Sequence, residues 1–401
     1  MKKTIKIGLL SQGGRGWIGG SLYIKNIILA LSHLPDETKS TFEICFLDVS
    51  SVEGSTGGEF SAHLNHYYNL KTAVKPLTLK NRLMWRIKRE MFKAADARLA
   101  PLVHREGIDF LYPHFVSKRE KFPARSCPWI ADFQHRHMPH LFSEAEFEGR
   151  DKAFSEIAIN SPTVVLSSQS AAKDFHQFFP ESNTEIVILQ FRTTPSPEWY
   201  SSSPVSFQAK YHLPEKFFLI SNQFWQHKNH MLVFEALRLL QKKNIYPTVV
   251  CTGHIHDHRK PDYSDQILQM IHSDNLGDLF FLLGLIPRND QMQLMRRSIA
   301  VIQPSLFEGW STIVEDARCL GKRMILSDFP VHIEQDPPSC AFFERNNPED
   351  LADTISRWWK DFVPGPDFDG EALAKARNFT EVQEFGYHFL EIARKSQLIS
   401  S

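Results

Sequence analysis

The chain has 401 residues, 42% apolar and 23% charged, which is the composition of a soluble globular enzyme with room for two domains. Lysine and arginine number 46, as do aspartate and glutamate, so no net field favours nucleic acid as a partner. Scattered cysteines without a Cys-x-x-Cys, no apolar run near the roughly 20 residues that span a bilayer, and no apolar signal core at the N-terminus together predict a cytoplasmic protein.

The first predicted element is a buried strand over 5–10, followed by a Gly-rich loop and an apolar helix over 21–34. A Gly-rich loop between a strand and a helix can offer backbone amides to an anion. Its glycine spacing fits neither the Gly-x-Gly-x-x-Gly of dinucleotide-binding folds nor a P-loop. The loop, which ends in Gly19 and Gly20, is therefore either an anion site or a plain connector.

A basic amphipathic helix is predicted over 80–103. Apolar residues recur there at helical spacing, and lysine and arginine outnumber acidic residues on the remaining positions. Such a helix either packs its apolar stripe into the core and exposes the basic face, or lies on an anionic membrane surface.

A polar cluster follows the predicted strand over 129–133, in the segment from Asp132 to Pro139. Open α/β sheets place ligand groups just past the carboxyl ends of their strands. His135 is the candidate within this cluster, although a loop histidine can equally be structural.

A Pro- and Ser-rich stretch over 190–214 is predicted to be an irregular connection between two domains. The second domain then begins with a strand over 217–221 and a helix over 231–242. Between them lie Asn222, at the strand end, and Lys228, whose point charge suits a phosphate. The alternative for Lys228 is a solvated side chain at a helix start.

Histidines cluster with an aspartate after the next predicted strand, over 254–258. The spacing is one residue short of the His-x-His-x-Asp-His of binuclear metallohydrolases, and no downstream ligands match. We therefore predict no metal site in this chain.

The most informative stretch runs from Gln303 to Lys322. It follows a predicted strand over 299–302 and contains a loop with Glu308, then a helix over 312–320 that Gly321 stops. Ser311 or Thr312 is the predicted N-cap, with Glu315 as its capping-box partner. The N–H groups of a helix N-terminus can bind a phosphate, and a carboxylate beside them can instead accept hydrogen bonds from sugar hydroxyls.

This stretch, through to His332, resembles the Glu-x7-Glu region of retaining glycosyltransferases of family 4 (glycosyl transferases group 1). The resemblance covers most of the chain. It implies the α/β fold called GT-B, with two Rossmann-like α/β/α domains facing each other across a deep cleft. The domains would be 1–195, on the acceptor side, and 205–381, on the donor side. A C-terminal helix over about 382–401 would cross back onto the first domain.

The resemblance also implies roles for individual residues. Glu308 would contact the donor sugar, and Asp316, where the family has glutamate, or its neighbour Glu315 would contact the ribose. Lys228 would bind the diphosphate and His135 the reacting sugar; Ala131 and Asn222 stand where the family often has histidine and arginine. The remaining donor-binding candidates are Gly19, Gly20, Asn222, Gly309, Trp310, Ser311, Thr312 and Ile313.

The implied reaction is metal-independent transfer of a sugar from a nucleotide-diphosphate donor, with retention, to a carbohydrate or glycolipid acceptor. The nucleotide sugar is a co-substrate, and no cofactor is predicted. Polysaccharide or glycolipid biosynthesis is the implied setting, with peripheral membrane contact through 80–103. Two alternatives stay open: another enzyme on the same fold, such as a nucleotide-sugar epimerase, and a non-catalytic sugar-nucleotide-binding or scaffold protein.

Overall fold

The computed structural model of the protein describes residues 4–14, 17–49, 60–73, 99–257, 259–273 and 276–398. These form two compact units. One contains the described residues up to Phe133, Glu144–Thr194 and the chain from Thr380; the other contains Gln134–Ser143 and Pro195–Phe379. The predicted basic helix lies outside the described residues over 80–98, and its last residues belong to a helix that begins at Leu99.

The first unit alternates strands with helices, as its sequence periodicity predicts. Its strands are β1 Ile5–Leu10, β2 Phe42–Asp48, β3 His66–Asn69, β4 Phe110–Tyr112, β5 Arg125–Ser126, β6 Trp129–Ile130, β7 Thr163–Leu166 and β8 Glu185–Ile188. Its helices are α1 Ile18–Ser32, α2 Asp36–Lys39, α3 Leu70–Ala73, α4 Leu99–Glu106, α6 Glu144–Asn160 and α7 Gln169–Phe178; α5, Gln134–His137, groups with the second unit.

The strands of the first unit form two parallel sheets, in the orders β3-β2-β1-β4-β5 and β6-β7-β8. Apolar residues of β2 and β4 pack against α4 under the larger sheet. A Phe133-centred cluster fills the space between the smaller sheet and α6 and α7. Near-continuous apolar strands are what parallel pairing with covered faces requires.

The described residues of the second unit form six strands, β9 Phe218–Ser221, β10 Val249–Thr252, β11 Phe280–Leu282, β12 Val301–Gln303, β13 Met324–Ser327 and β14 Cys340–Phe343. Its helices are α8 Glu198–Ser201, α9 Pro204–Lys210, α10 His230–Lys242, α11 Tyr263–Ser273, α12 Arg288–Arg297, α13 Thr312–Cys319, α14 Pro330–Gln335, α15 Pro348–Asp361 and the start of α16 Phe368–Leu398.

The six strands are parallel, in the order β11-β10-β9-β12-β13-β14. Phe218 and Ile220 face a core with α10 and α15, whereas Leu219 faces a core with α12 and α13. The sheet is thus covered on both faces. The strand order reverses between β9 and β12, and in such sheets ligands bind outside the carboxyl ends of the strands at this switch point.

One sequence prediction about the connections was wrong. The stretch over 190–214 is not wholly irregular, because α8 and α9 lie within it: Pro197 is the N-cap of α8, and Pro204 opens α9. Proline suits the first turn of a helix, where its missing N–H is no loss. The helix predicted over about 382–401 is present as far as the chain is described, as the later part of a helix that begins at Phe368. Asp367 Oδ1 accepts a hydrogen bond from the Gly370 amide at the start of this helix (2.9 Å).

Within the part of the chain that the structure describes, no helix combines the length and apolar character that crossing a bilayer demands.

Candidate functional site

The carboxyl ends of β9 and β12 are joined by side chains at the switch point. Asn222 follows β9 directly and donates to Oε1 of Gln303, the last residue of β12 (2.6 Å). The Gln303 amide in turn donates to Glu308 Oε1 (2.9 Å) and to Ser311 Oγ (3.1 Å). Gln303 is fully buried, so this chain of hydrogen bonds fixes the Glu308 carboxylate relative to both strands.

Lys228 and Glu308 form an ion pair, with 2.6 Å between Nζ and Oε1. Only 14% of the lysine side chain and 9% of the glutamate side chain are exposed. The loop of Glu308 is docked beside Lys228 because the Leu306 amide donates to the His227 carbonyl (2.8 Å). The structure therefore brings together the two residues that the sequence named for sugar and diphosphate.

The charge state of Glu308 follows from its surroundings. Burial alone would raise the pKa of Glu308, but Lys228, the nearby His332 and hydrogen bonds outweigh burial and hold the pKa below its ordinary value. Burial also lowers the pKa of His332 to about 4, which leaves that ring neutral at pH 7. Glu308 is thus an ionised acceptor at neutral pH, with one lysine as its counter-ion.

Helix α13 begins after Ser311, as predicted, but without the predicted capping box. The Ser311 side chain makes no capping bond. Gln335 of α14 takes that place, because its Oε1 accepts from the Ser311 amide (3.2 Å) and its Nε2 donates to the Ser311 carbonyl (3.1 Å). The same Nε2 donates to Glu315 Oε1 (2.9 Å), so Glu315 is held away from the backbone it was expected to cap.

Of the three backbone amides that were predicted to bind an anion, two remain available at the start of α13. The amide of Ser311 is taken by Gln335. The amides of Thr312 and Ile313 have no partner four residues earlier within the helix, and both residues are partly exposed. Gly309, half-buried, and Trp310, 8% exposed, complete the loop to Glu308.

Asp316 is fully buried and paired with an arginine that the sequence analysis did not single out. Arg288 Nη2 lies 2.6 Å from Asp316 Oδ1, and 28% of the arginine side chain is exposed. The guanidinium lies over the ring of Trp199, 5.3 Å from its centroid, and donates from Nη1 to Gln291 Oε1 (2.8 Å).

A signal for Arg288 exists in the sequence. It is the first residue of α12, where the helix dipole disfavours a cation. An arginine at that position indicates a specific acidic partner, and the structure supplies Asp316.

Helix α5, which carries His135, packs against the same region of the second unit. The His137 ring lies 5.4 Å from the ring of Phe307, the residue before Glu308. Gln134 accepts from Arg259 Nη1 (3.3 Å). The His135 ring is fully buried, 6.4 Å from Phe142 in an edge-on arrangement. Contact between His135 and a sugar stays a prediction.

Gly19 and Gly20 lie in the first turn of α1, in the first unit. A Cβ at Gly20 would come within 2.8 Å of the Trp17 ring and 3.0 Å of the Gly13 amide nitrogen. At Gly19 the nearest atom would be Trp17 Nε1, at 3.3 Å. Trp17 is itself stacked on Trp129 (5.7 Å between centroids). Packing alone accounts for Gly20, whereas a Cβ at Gly19 makes one close contact, which a small shift of the Trp17 side chain would relieve.

Asp257, in the histidine cluster over 254–258, is a buried structural residue. Asp257 accepts from the amides of Gln226 and Arg259 (3.0 Å each) and pairs with the Arg259 guanidinium (3.3 Å). His258 lies outside the described residues. Among the described residues there is no group of three or more side chains that could hold a metal ion.

Comparison with known proteins agrees with this geometry. Residues 205–364 match the sequence model of the family "Glycosyl transferases group 1". The matched segment contains β9 to β14, with Lys228, Arg288, Glu308 and Asp316, but neither α5 nor Trp199. A sequence search of curated proteins gave no match.

Several solved structures share the whole fold at low sequence identity. A glycosyltransferase from Rickettsia africae ESF-5 is 15% identical with a TM-score of 0.67, covering 99% of this chain and 100% of its own. Anabaena HepE, solved with UDP and glucose, is 15% identical with a TM-score of 0.65, covering 98% and 100%. Sucrose-phosphate synthase from Thermosynechococcus elongatus is 14% identical with a TM-score of 0.63, covering 98% of each chain.

The predicted fold class is therefore confirmed: the chain has the α/β fold of GT-B glycosyltransferases, built on parallel sheets. Together with this fold, the match to glycosyl transferases group 1 over residues 205–364 supports a glycosyltransferase.

Proposed function

We propose that the protein is a retaining glycosyltransferase of the family 4 type, which transfers a sugar from a nucleotide-diphosphate donor to an acceptor hydroxyl without a metal ion. The observation that carries the proposal is the mostly buried Lys228–Glu308 pair at the switch point, beside the start of α13. A cation and free helix amides suit the diphosphate of such a donor, and an ionised acceptor beside them suits its sugar hydroxyls.

The leaving diphosphate gains negative charge as the glycosidic bond breaks, and that charge needs stabilising in the transition state. Lys228 has three N–H donors, of which one meets Glu308, so the others remain for the diphosphate. The amides of Thr312 and Ile313 add the positive end of a helix dipole. These groups act in place of a metal ion in our proposal.

Glu308 would orient the sugar. Its Oε1 is taken by Lys228 and Gln303, whereas a carboxylate has about four acceptor positions. Oε2 can therefore accept from sugar hydroxyls while Oε1 keeps the carboxylate in place. We assign no covalent nucleophile; attack from the leaving-group face, assisted by the departing phosphate, accounts for retention in this proposal.

The donor screen should begin with uridine nucleotides. Anabaena HepE has the same fold and was solved with UDP and with UDP-glucose. For the acceptor we propose a carbohydrate or glycolipid used in polysaccharide or glycolipid synthesis. We also propose that the enzyme acts in the cytoplasm, with the basic segment over 80–103 contacting the inner face of the membrane.

The test is a thermal-shift screen against UDP, GDP and their sugar conjugates, with EDTA and with Mg²⁺. A ligand at about 100 times its Kd stabilises the folded state by about 2.7 kcal/mol, which raises Tm visibly. We expect one nucleotide to raise Tm equally in EDTA and Mg²⁺, and Lys228→Met to lose the shift.

Lys216→Met is the matched control, because Lys216 is a half-buried lysine just before β9, at the opposite end of the same sheet. A shift that survives in Lys228→Met but not in Lys216→Met would contradict the site. A shift that needs Mg²⁺ would contradict metal independence.

A further inference from the structure

We propose that Arg288, rather than the Asp316 carboxylate, contacts the ribose of the nucleotide, with Asp316 acting as the residue that positions it. The inference rests on the function proposed above. It begins from the burial of the pair: Asp316 has no exposed surface, whereas 28% of the Arg288 side chain is exposed. A ligand that reaches this point therefore meets the guanidinium first.

The guanidinium is fixed on three sides before any ligand arrives. Asp316 holds Nη2, Gln291 accepts from Nη1, and the Trp199 ring lies beneath the plane. Gln291 is in turn hydrogen-bonded to Ser221 at the end of β9. An arginine held in this way offers its remaining N–H groups in a set direction, at little further cost in side-chain entropy.

Asp316 neutralises the charge of Arg288, and this determines which part of the nucleotide sugar Arg288 can bind. With Asp316 2.6 Å away, the pair has no net charge to add to the diphosphate, which Lys228 and the α13 amides already serve. A compensated guanidinium is instead a directed donor for a neutral oxygen. Since the sugar is assigned to Glu308, the neutral oxygens left on the donor are those of the nucleoside, and the ribose hydroxyls lie next to the diphosphate.

The test compares Kd for UDP, dUDP, GDP and dGDP by calorimetry in wild type, Arg288→Ala, Arg288→Lys and a control, Arg323→Ala. Arg323 is also paired with a carboxylate, that of Asp367, and also lies over an aromatic ring, that of Phe362, and 29% of its side chain is exposed. It lies just before β13, at the other end of the sheet. Wild type should bind the ribonucleotide about tenfold more tightly than its deoxy form, as one hydrogen bond from a charged donor supports.

In Arg288→Ala the ratio should fall to near one, and in Arg323→Ala it should match wild type. If Arg288→Ala does not fold, Arg288→Lys serves instead. It keeps a positive charge beside Asp316 but lacks the paired N–H donors of a guanidinium, so the preference for the ribonucleotide should also fall. An unchanged or larger ratio in the Arg288 variants would mean that Asp316 or another group reads the ribose. A wild type that does not distinguish the two sugars overturns the inference as well.

Both of those results leave the proposed function standing. If wild type binds neither diphosphate, the proposed function and this inference fall together. A changed preference between UDP and GDP with an unchanged ribose ratio would assign Arg288 to the base and overturn the inference.

Discussion

The Gln335 side chain makes two hydrogen bonds to the backbone of Ser311, accepting from its amide at 3.2 Å and donating to its carbonyl at 3.1 Å. The first residue before α13 is thereby fixed by α14, an element that lies later in the chain. Since the amides that we assign to the diphosphate come directly after Ser311, the position of the anion site depends on this side chain.

Replacing Gln335 should therefore affect stability and binding together. In Gln335→Met the shape is kept, but Glu315 Oε1 and the Ser311 amide lose their partner in a buried place. Leaving buried polar groups unsatisfied costs about 1–3 kcal/mol each. We expect a loss of that order in the free energy of unfolding, measured by urea titration, with an increase in nucleotide Kd. An unchanged free energy of unfolding would show that the hydrogen bonds of Gln335 do not stabilise the fold.

Glu308 should contribute to the acid limb of the stability curve. Its folded-state pKa lies below the ordinary 4.5. Its contribution is thus fully present above pH 4.5 and is lost as pH falls through the lower folded value. Glu308→Gln cannot titrate, so its stability relative to wild type should improve as pH falls below about 4.5. A difference between the two proteins that stays constant from pH 6 to pH 3 would contradict the lowered pKa.

The two glycines of α1 should differ in their response to alanine. Alanine favours a helix over glycine by about 1 kcal/mol, and at Gly19 this gain is set against a single 3.3 Å contact with Trp17 Nε1. At Gly20 the methyl would press on the Trp17 ring and the Gly13 amide, and overpacking costs about 1–3 kcal/mol. Gly20→Ala should lower Tm, and Gly19→Ala should lower it by less or not at all. Equal effects would contradict the packing account.

The same pair of variants examines their proposed role in donor binding. If the start of α1 serves only packing, Gly19→Ala will leave nucleotide Kd unchanged. If the Gly19 amide approaches the phosphates, as the sequence resemblance implies, the added methyl should raise Kd. Calorimetry on the Gly19→Ala protein separates the two, at a temperature below the Tm of that variant.

The local pattern of the sequence was enough to predict the α/β class and most element positions. Strand β12 and helix α13 were expected within two residues of where they lie, because apolar runs, Gly321 and the Ser311 cap are short-range signals. Lys228 and Glu308 were named for the same reason, since each stands at a strand end in a recognisable stretch.

What the sequence could not provide is pairing between elements distant along the chain. Gln335 was not singled out because nothing near it in sequence shows that it meets Ser311. Arg288 was missed because its partner lies on another helix. Glu315 was predicted to cap its own helix at Ser311, but its Oε1 instead accepts a tertiary hydrogen bond from Gln335. Short-range chemistry predicts where polar residues stand, and tertiary packing decides what they bind.

The most direct test of the central claim is the reaction itself. The nucleotide sugar selected by the binding screen is incubated with carbohydrate and glycolipid acceptors, and the products are followed by NMR. Our account predicts release of the nucleoside diphosphate and a product with the donor's anomeric configuration. Removing a hydrogen bond from a charged donor should slow this about 10–100-fold in Lys228→Met, with Lys216→Met close to wild type. An inverted product, an epimerised nucleotide sugar, or binding without turnover across all acceptors would contradict it.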